Sequence, residues 1–154
     1  MNARAAASEA MGSFLPDTSC MVAAVSSWHD HHERARREIE NRLQRKERMI
    51  VAGPALIEAY SVLTRLPAPH RISPTDALSL LDENFVRGAK IATLGPSNYK
   101  TLLRGVPAAG ISGGRIYDAV IAACARKANV DALLTFNETH FASLGGAGLE
   151  IVVP

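Results

Sequence analysis

The chain has 154 residues, of which 47% are hydrophobic and 21% are charged, and this composition is typical of one globular domain with a single core. It argues against a membrane-spanning protein, because no uncharged run approaches the ~18 apolar residues that cross a bilayer. The net charge of +2 is too small to indicate nucleic-acid binding by itself. The first residues lack the pattern of a secretory signal. We therefore expect a cytoplasmic protein, with Cys20 and Cys124 as free thiols.

Residues 1–12 are rich in alanine and serine and have no apolar stripe, so they are predicted to form a disordered extension before one domain at 13–154. Apolar runs, charged runs and proline or glycine breaks divide that domain into strands and helices. The predicted strands lie at 14–16, 49–52, 89–94, 132–136 and 149–153. The predicted helices lie at 18–27, 33–48, 54–66, 96–107 and 115–128, with one more after an N-cap at Ser73.

Two of these helices have apolar faces that predict which side chains they bury. The helix at 33–48 has a narrow stripe of three residues spaced by four: Ala35, Ile39 and Leu43. The helix after Ser73 is predicted to bury four side chains: Ala77, Leu78, Leu81 and Phe85. Residues 34–48 also hold seven of the seventeen lysines and arginines, a pattern that favours a solvated helix face over an RNA contact.

The alternation of strands and helices predicts an α/β sandwich with a mostly parallel central sheet flanked by helices. The strands are short apolar runs without polar alternation, as expected when helices cover both faces of the sheet. Ligands of such sheets gather beyond the carboxyl ends of the strands. Because Asp17 follows the first strand and Asn137 follows a late one, we expect both at that edge.

Four positions in apolar surroundings are predicted to form one metal site: Asp17, Glu58, Asp118 and Asn137. Three of them are carboxylates, and carboxylates that repel one another persist in apolar settings mainly when a cation neutralises them. Oxygen ligands favour a hard divalent ion, Mg²⁺ or Mn²⁺, and with it phosphate chemistry.

Three of the four positions also have a structural interpretation. Asp17 is in place to cap the helix that follows it, Glu58 to lie on a solvated helix face, and Asn137 to form a turn or cap. Asp118 is the strongest candidate, because its helix has almost no polar face and is predicted to be largely buried. Glu138 offers an alternative source of charge next to Asn137.

The segments FLPDTS, PALIEAYSVLTR, GGRIYDAVIAACA and LLTFNETHF, in this order, resemble the PIN domain, and more narrowly the VapC-type toxins of bacterial toxin–antitoxin pairs. The resemblance covers residues 13–153. It implies a PIN-like three-layer sandwich and an endoribonuclease that depends on Mg²⁺ or Mn²⁺. It also implies a cognate antitoxin, a homodimer and a toxin–antitoxin hetero-oligomer.

Individual residues take their expected roles from this resemblance. Asp17, Glu58 and Asp118 match the family's first three acids and are expected to bind metal, while Asn137 stands where many relatives have a fourth acid. The amide is a weaker Mg²⁺ ligand than a carboxylate and brings no charge, so we expect catalysis to rest on one ion. Thr18 and Ser19 match the polar residues after the first acid, which position substrate or water. Arg115 is a candidate phosphate contact by position alone, and a solvated arginine is an equal alternative.

The expected reaction is hydrolysis of an RNA phosphodiester, with single-stranded loops as targets because their bases can be read. Only eight residues are aromatic, which argues against extensive base stacking. His29, His31 and His32 are predicted to lie in a solvated turn. A catalytically weak module that binds RNA or protein is one alternative. An aspartyl-phosphate phosphatase is another, disfavoured because Ser19 stands where that class needs a second acid.

Overall fold

The computed structural model describes residues 11–146 and 148–154. Within them, five strands form one sheet in the order β3-β2-β1-β4-β5, and every neighbouring pair is parallel. The strands are β1 Ser13–Pro16, β2 Arg48–Ala52, β3 Lys90–Ala92, β4 Ala132–Leu134 and β5 Glu150–Val152. The predicted parallel sheet is therefore confirmed.

Helices connect the strands and cover the sheet. They are α1 Thr18–Val25, α2 His32–Gln44, α3 Gly53–Arg65, α4 Pro74–Leu81, α5 Pro96–Gly105, α6 Arg115–Lys127 and α7 Glu138–Phe141. A π-helical stretch, Asp82–Val86, continues α4. Because parallel crossovers are right-handed, α1 to α4 lie on one face and α5 to α7 on the other. This is the predicted three-layer sandwich. None of the described helices is long and apolar enough to cross a membrane.

The sheet order reverses between β1 and β4, which are neighbours at its centre. Their register pairs Pro16 with Leu134, so both strands end at the same level. The Asp17 backbone N–H then donates to the Leu134 carbonyl oxygen at 2.9 Å. Such a switch point opens a crevice at the carboxyl ends of the strands, and Asp17 and Thr135 are the first residues that follow them.

The core explains why the strand sequences are continuously apolar. The central strands bury their side chains on both faces, among them Phe14, Leu15, Ile50, Val51, Leu133 and Leu134. Helices from both layers cover them with Met21, Leu63 and Ile121, which are also fully buried. A charge at the end of these strands is therefore held close to an apolar interior.

Two side chains that were predicted to be buried are exposed. Leu78 is 63% exposed, whereas Ala77, Leu81 and Phe85 are buried. These three are spaced by four along α4 and its π-helical extension, and the stripe that they form leaves Leu78 on its flank. Leu43 is 42% exposed in the last turn of α2.

Several predicted boundaries also shift. The helix predicted to reach residue 48 ends at Gln44, because Lys46 adopts a left-handed conformation with φ of 67° and turns the chain into β2. The strand predicted at 89–94 is shorter, and α7 was not predicted at all. Of the predicted extension at 1–12, residues 1–10 lie outside the described residues. Gly12 belongs to the fold, since its carbonyl oxygen accepts from the Arg48 N–H at 2.9 Å.

The charged helix α2 holds much of its charge in local ion pairs. Arg36 contacts Glu33 and Glu40, and Arg42 contacts Glu38 and Glu47. Pairs spaced by three or four residues are typical of a solvated helix face. This arrangement supports the solvated interpretation over an RNA contact for Arg36, which is 42% exposed, whereas Arg42 is only 12% exposed and packs against the fold.

Candidate active site

A cleft of about 380 Å³ lies at the switch point and contains all four predicted site positions. Its lining includes Asp17, Thr18, Ser19, Glu58, Asp118 and Asn137. Residues from four separate parts of the chain therefore meet in one place, as the parallel sheet predicts.

Asp17 is the most tightly held of these side chains. It is only 2% exposed, and its Oδ1 accepts hydrogen bonds from the Ser19 hydroxyl at 2.6 Å and the Cys20 N–H at 2.9 Å. Its Oδ2 accepts from the Thr135 hydroxyl at 2.6 Å. Asp17 is thus both the N-cap of α1 and a member of the cleft, so the structural interpretation is confirmed and is compatible with a role in the site.

Burial makes the charge of Asp17 unfavourable. It raises the pKa of the carboxyl from 3.8 to about 6, although the hydrogen bonds from Ser19, Thr135 and Cys20 oppose this change. The negative charge of Asp118 raises the pKa slightly further. An acid that is oriented by three donors and yet destabilised as an anion is one that a bound cation would stabilise.

Asp118 lies in the first turn of α6, and its side chain is 16% exposed. Its Oδ2 accepts a hydrogen bond from His140 Nδ1 at 3.0 Å, which fixes α7 against α6. The expectation that α6 is largely buried is confirmed for its middle, where Ala119, Ile121 and Ala122 are buried, but not for its first turn, where Tyr117 is 60% exposed. The middle of the helix packs in the core, and its first turn projects to the cleft.

Glu58 and Asn137 lie at the rim. Glu58 is half-buried on α3 and lines both this cleft and a neighbouring groove. Asn137 is exposed at the N-cap of α7, but its side chain makes no capping hydrogen bond. In the described part of the chain, Glu138 and Arg115 are exposed and lie outside the cleft lining.

The hydroxyls of Thr18 and Ser19 have different surroundings. Ser19 donates to Asp17 and accepts from the Phe136 N–H at 3.1 Å, so it orients the acid. The buried Thr18 hydroxyl has no hydrogen-bond partner among the described residues. A buried polar group normally has one, and Thr18 lines the cleft. Its hydroxyl is therefore available to a ligand oxygen or a water.

Sequence reasoning missed two polar contributors to the site. Thr135 is fully buried, and its hydroxyl donates to Asp17 and accepts from the Asn137 N–H at 2.8 Å. The sequence predicted a strand over 132–136 and so assigned Thr135 to the strand, whereas the observed strand ends at Leu134. The signal was a lone hydroxyl at the end of an apolar run. His140 lies on the unpredicted helix α7 and contacts Asp118.

We expect Thr135→Val to lower the free energy of unfolding by about 1–2 kcal/mol near neutral pH, because Asp17 loses one donor and Asn137 loses its acceptor. The loss should be smaller at acidic pH, where Asp17 is protonated and depends less on a donor. Urea unfolding at two pH values measures both effects. Thr135→Ser keeps the hydroxyl and is the matched control, and an equal loss in the two variants would contradict this role.

The donor set of the cleft fits a hard divalent cation. Asp17, Glu58 and Asp118 supply carboxylate oxygens, and Mg²⁺ needs only one or two of these because it keeps several waters. Among residues 11–146 and 148–154, no three His, Cys, Asp or Glu side chains converge as a preformed ligand cluster. A sparsely coordinated, water-rich ion fits this spacing better than a zinc site would.

A sequence profile of the PIN domain matches residues 14–146. The chain belongs to the PIN domain family. Within it, this PIN domain is similar to Ribonuclease VapC40 of Mycobacterium tuberculosis, at 33% identity over 118 residues that cover 77% of this chain and 82% of that protein. It is also similar to Ribonuclease VapC27 of the same organism, at 38% identity over 111 residues, 72% of this chain and 68% of that protein.

Solved structures share the fold of this PIN domain. VapC20 of Mycobacterium tuberculosis, described as a Sarcin-Ricin loop cleaving toxin, superposes with a TM-score of 0.67 at 16% identity, covering 85% of this chain and 95% of that chain. VapBC2 from Rickettsia felis, bound to a promoter DNA fragment, gives 0.65 at 19% identity, with coverages of 91% and 97%. At these identities the similarity establishes the fold.

Proposed function

We propose that this PIN domain is an Mg²⁺- or Mn²⁺-dependent endoribonuclease that cleaves RNA phosphodiester bonds as the toxin of a toxin–antitoxin pair. The observation that carries the proposal is that Asp17, Glu58 and Asp118 all line one cleft at the switch point of the sheet. The two similar curated proteins are named ribonucleases, which supports RNA as the substrate.

In this proposal Asp17 and Asp118 hold the metal ion, with Glu58 at the rim. The bound ion supplies Lewis-acid stabilisation of the phosphate and lowers the pKa of the attacking water. Ser19, the Cys20 N–H and Thr135 keep the Asp17 carboxylate in one orientation.

The remaining residues of the cleft have supporting roles. His140 holds Asp118 through its Nδ1 proton. The Thr18 hydroxyl donates to a phosphate oxygen. The Glu58 carboxylate accepts a proton from the attacking water as the P–O bond to the leaving oxygen breaks, and solvent water protonates that oxygen. The Asn137 amide contributes an oxygen contact without charge, so the proposal places one metal ion in the cleft.

Incubation of the purified protein with total RNA tests the proposed activity. Cleavage should require Mg²⁺ or Mn²⁺, stop when EDTA is added and resume when metal is restored in excess. Absence of cleavage with either metal would contradict the proposal.

One alternative rests on Asn137, which brings no charge to the rim where many relatives have an acid. A domain weakened there would bind RNA or a protein without cutting it. RNA binding in a gel-shift assay, with intact RNA recovered in the presence of metal, would favour this module over the nuclease.

We also propose a cognate antitoxin as the partner, with a toxin–antitoxin hetero-oligomer as the resting assembly. Several structures that share the fold are VapBC complexes, including those from Salmonella typhimurium and nontypeable Haemophilus influenzae. Co-expression with a small reading frame beside the gene, followed by co-purification, tests this partner.

We propose further that the domain forms a homodimer through a groove between α3 and α6, beside the cleft. The groove is lined by Ile57, which is 74% exposed, and Tyr117, which is 60% exposed. Exposed apolar patches of this kind mark association sites.

We expect Ile57→Asp to convert a dimer into a monomer in light scattering, because the charge would be buried in the interface. Leu103→Asp replaces a side chain that is 62% exposed on α5 and is the matched control. A monomeric wild type, or a dimer that Ile57→Asp leaves unchanged, would contradict this interface.

A further inference from the structure

Five aromatic rings form a continuous strip from the cleft to the loop between α3 and α4. We call His70, Trp28, His29, His31 and Phe136 the aromatic strip. Trp28 stacks on His70 with ring centroids 4.1 Å apart and planes at 21°. His31 stacks on Phe136 at 4.4 Å and 15°. His29 lies between the two stacks, with centroids 5.5 Å from Trp28 and 5.6 Å from His31.

One end of the aromatic strip is part of the wall of the cleft. His29, His31 and Phe136 line the same cavity as Asp17 and Asp118. A nucleic-acid strand with one phosphate at the acids would therefore place an adjacent base beside these rings. The other end faces solvent, since His70 is exposed and Trp28 is 42% exposed.

Local contacts hold the rings in place. The His31 N–H donates to His29 Nδ1 at 3.0 Å, so the neutral His29 ring carries its proton on Nε2. The His32 Nδ1 donates to the Ala23 carbonyl oxygen at 2.9 Å and anchors the turn to α1. The predicted solvated turn is therefore an ordered wall.

A cationic side chain, Arg34, lies at the end of the aromatic strip near the cleft. The Arg34 guanidinium lies 5.4 Å from the Phe136 ring centroid, and its Nε donates to the Pro154 carbonyl oxygen at 2.8 Å. Aromatic faces next to a guanidinium are the groups on which single-stranded nucleic acids stack their bases and place their phosphates.

We propose that the aromatic strip binds unpaired RNA bases that flank the scissile phosphate, by stacking. The inference rests on the proposed function for its substrate class. It departs from the expectation from composition. The chain has few aromatic residues, but Phe136 lines the cleft with the acids, and the strip continues from it to the only tryptophan. Stacking is tolerant of sequence, so the strip positions the strand more than it selects the bases.

Trp28 is the only tryptophan in the chain, so its fluorescence directly reports RNA binding at the aromatic strip. Asp118→Asn with Mg²⁺ keeps the RNA intact during a titration with a short single-stranded oligoribonucleotide. We expect saturable quenching of Trp28. The same oligonucleotide with abasic positions should bind at least about 5-fold more weakly, since one stacked base contributes about 1–3 kcal/mol.

Steady-state cleavage by variants of the active chain gives a second readout. Trp28→Ala should raise KM about 5- to 100-fold, equivalent to the loss of one stacked base, while kcat changes less than about 3-fold. Trp28→Phe keeps an aromatic face and should restore most of the loss. Tyr99→Ala removes an aromatic side chain that is 43% exposed on α5, and this matched control should leave KM unchanged.

The results separate this inference from the proposed function. Cleavage by the wild type with an unchanged KM in Trp28→Ala, or fluorescence that does not respond to RNA, would overturn the stacking surface and leave the nuclease intact. Trp28 quenching without any cleavage by the wild type would support the surface and contradict the nuclease. Weaker binding of a protein partner by Trp28→Ala, with RNA affinity unchanged, would assign the strip to that partner and overturn the inference.

Discussion

Replacing Asp17 with asparagine is expected to abolish RNA cleavage and to stabilise the metal-free protein near neutral pH. Activity should fall at least about 100-fold, because the metal loses its most enclosed carboxylate and metal stabilisation of such reactions is worth several kcal/mol. The fold should be retained, since asparagine has the same shape and also caps helices.

The gain in stability follows from the burial of the charge. The folded pKa of Asp17, about 6, lies above its ordinary value of 3.8. The folded protein therefore binds more protons than the unfolded chain between these values, and the free energy of unfolding falls as the pH rises through this window. A shift of about two pH units corresponds to about 3 kcal/mol. Asparagine avoids this penalty but pairs less well with Thr135, so we expect a net gain of about 1–2 kcal/mol.

Urea unfolding without metal, at pH values on both sides of this window, measures the gain. It should be present near neutral pH and vanish in acid, where Asp17 is protonated in both states. An Asp17→Asn variant that cleaves RNA at the wild-type rate with metal, or that is less stable than the wild type at neutral pH, would contradict this role.

Asp118→Asn is expected to have the second-largest effect, again a loss of at least about 100-fold in cleavage. Its stability should change little, because the side chain is nearer to solvent and an amide can still accept a hydrogen bond from His140. The matched control is Glu138→Gln, the same acid-to-amide change in an exposed side chain outside the cleft.

Cleavage assays on both variants, with circular dichroism to verify folding, decide the assignment. Glu138→Gln should cleave RNA at the wild-type rate. A strong loss of cleavage activity in Glu138→Gln, with activity retained in Asp118→Asn, would contradict the present arrangement. It would assign the fourth position of the site to Glu138 instead of Asn137.

The architecture was predictable because the central strands have a distinctive sequence pattern. Phe14, Ile50 and Leu133 lie in short apolar runs without polar alternation, and such runs indicate a sheet covered on both faces. That inference placed Asp17 and Asn137 at one edge, and the structure confirms that they share a cleft. The location of Asp17 in the cleft was also predictable, because a carboxylate directly after a continuous apolar run is unusual.

Contacts between distant segments were not predictable, since no local pattern encodes them. Thr135 and His140 act through Asp17 and Asp118, which are far from them in the chain. The same limit explains the histidine turn. His29 and His31 read as solvated by composition, but the α1–α2 turn folds back against Phe136. The prediction that Leu78 is buried is wrong for a different reason. The buried stripe of Ala77, Leu81 and Phe85 continues into the π-helical extension and lies on a neighbouring face of the helix.

The central claim is that one divalent ion in the cleft of Asp17 and Asp118 both binds there and drives RNA hydrolysis. A titration of the metal-free wild type with Mg²⁺ tests it most directly, when the cleavage rate and the Tm are followed in the same samples. Both should rise over the same range of Mg²⁺ concentration, and neither should rise in Asp17→Asn. Cleavage that persists in EDTA, or a rate that rises without any change in Tm, would contradict the account.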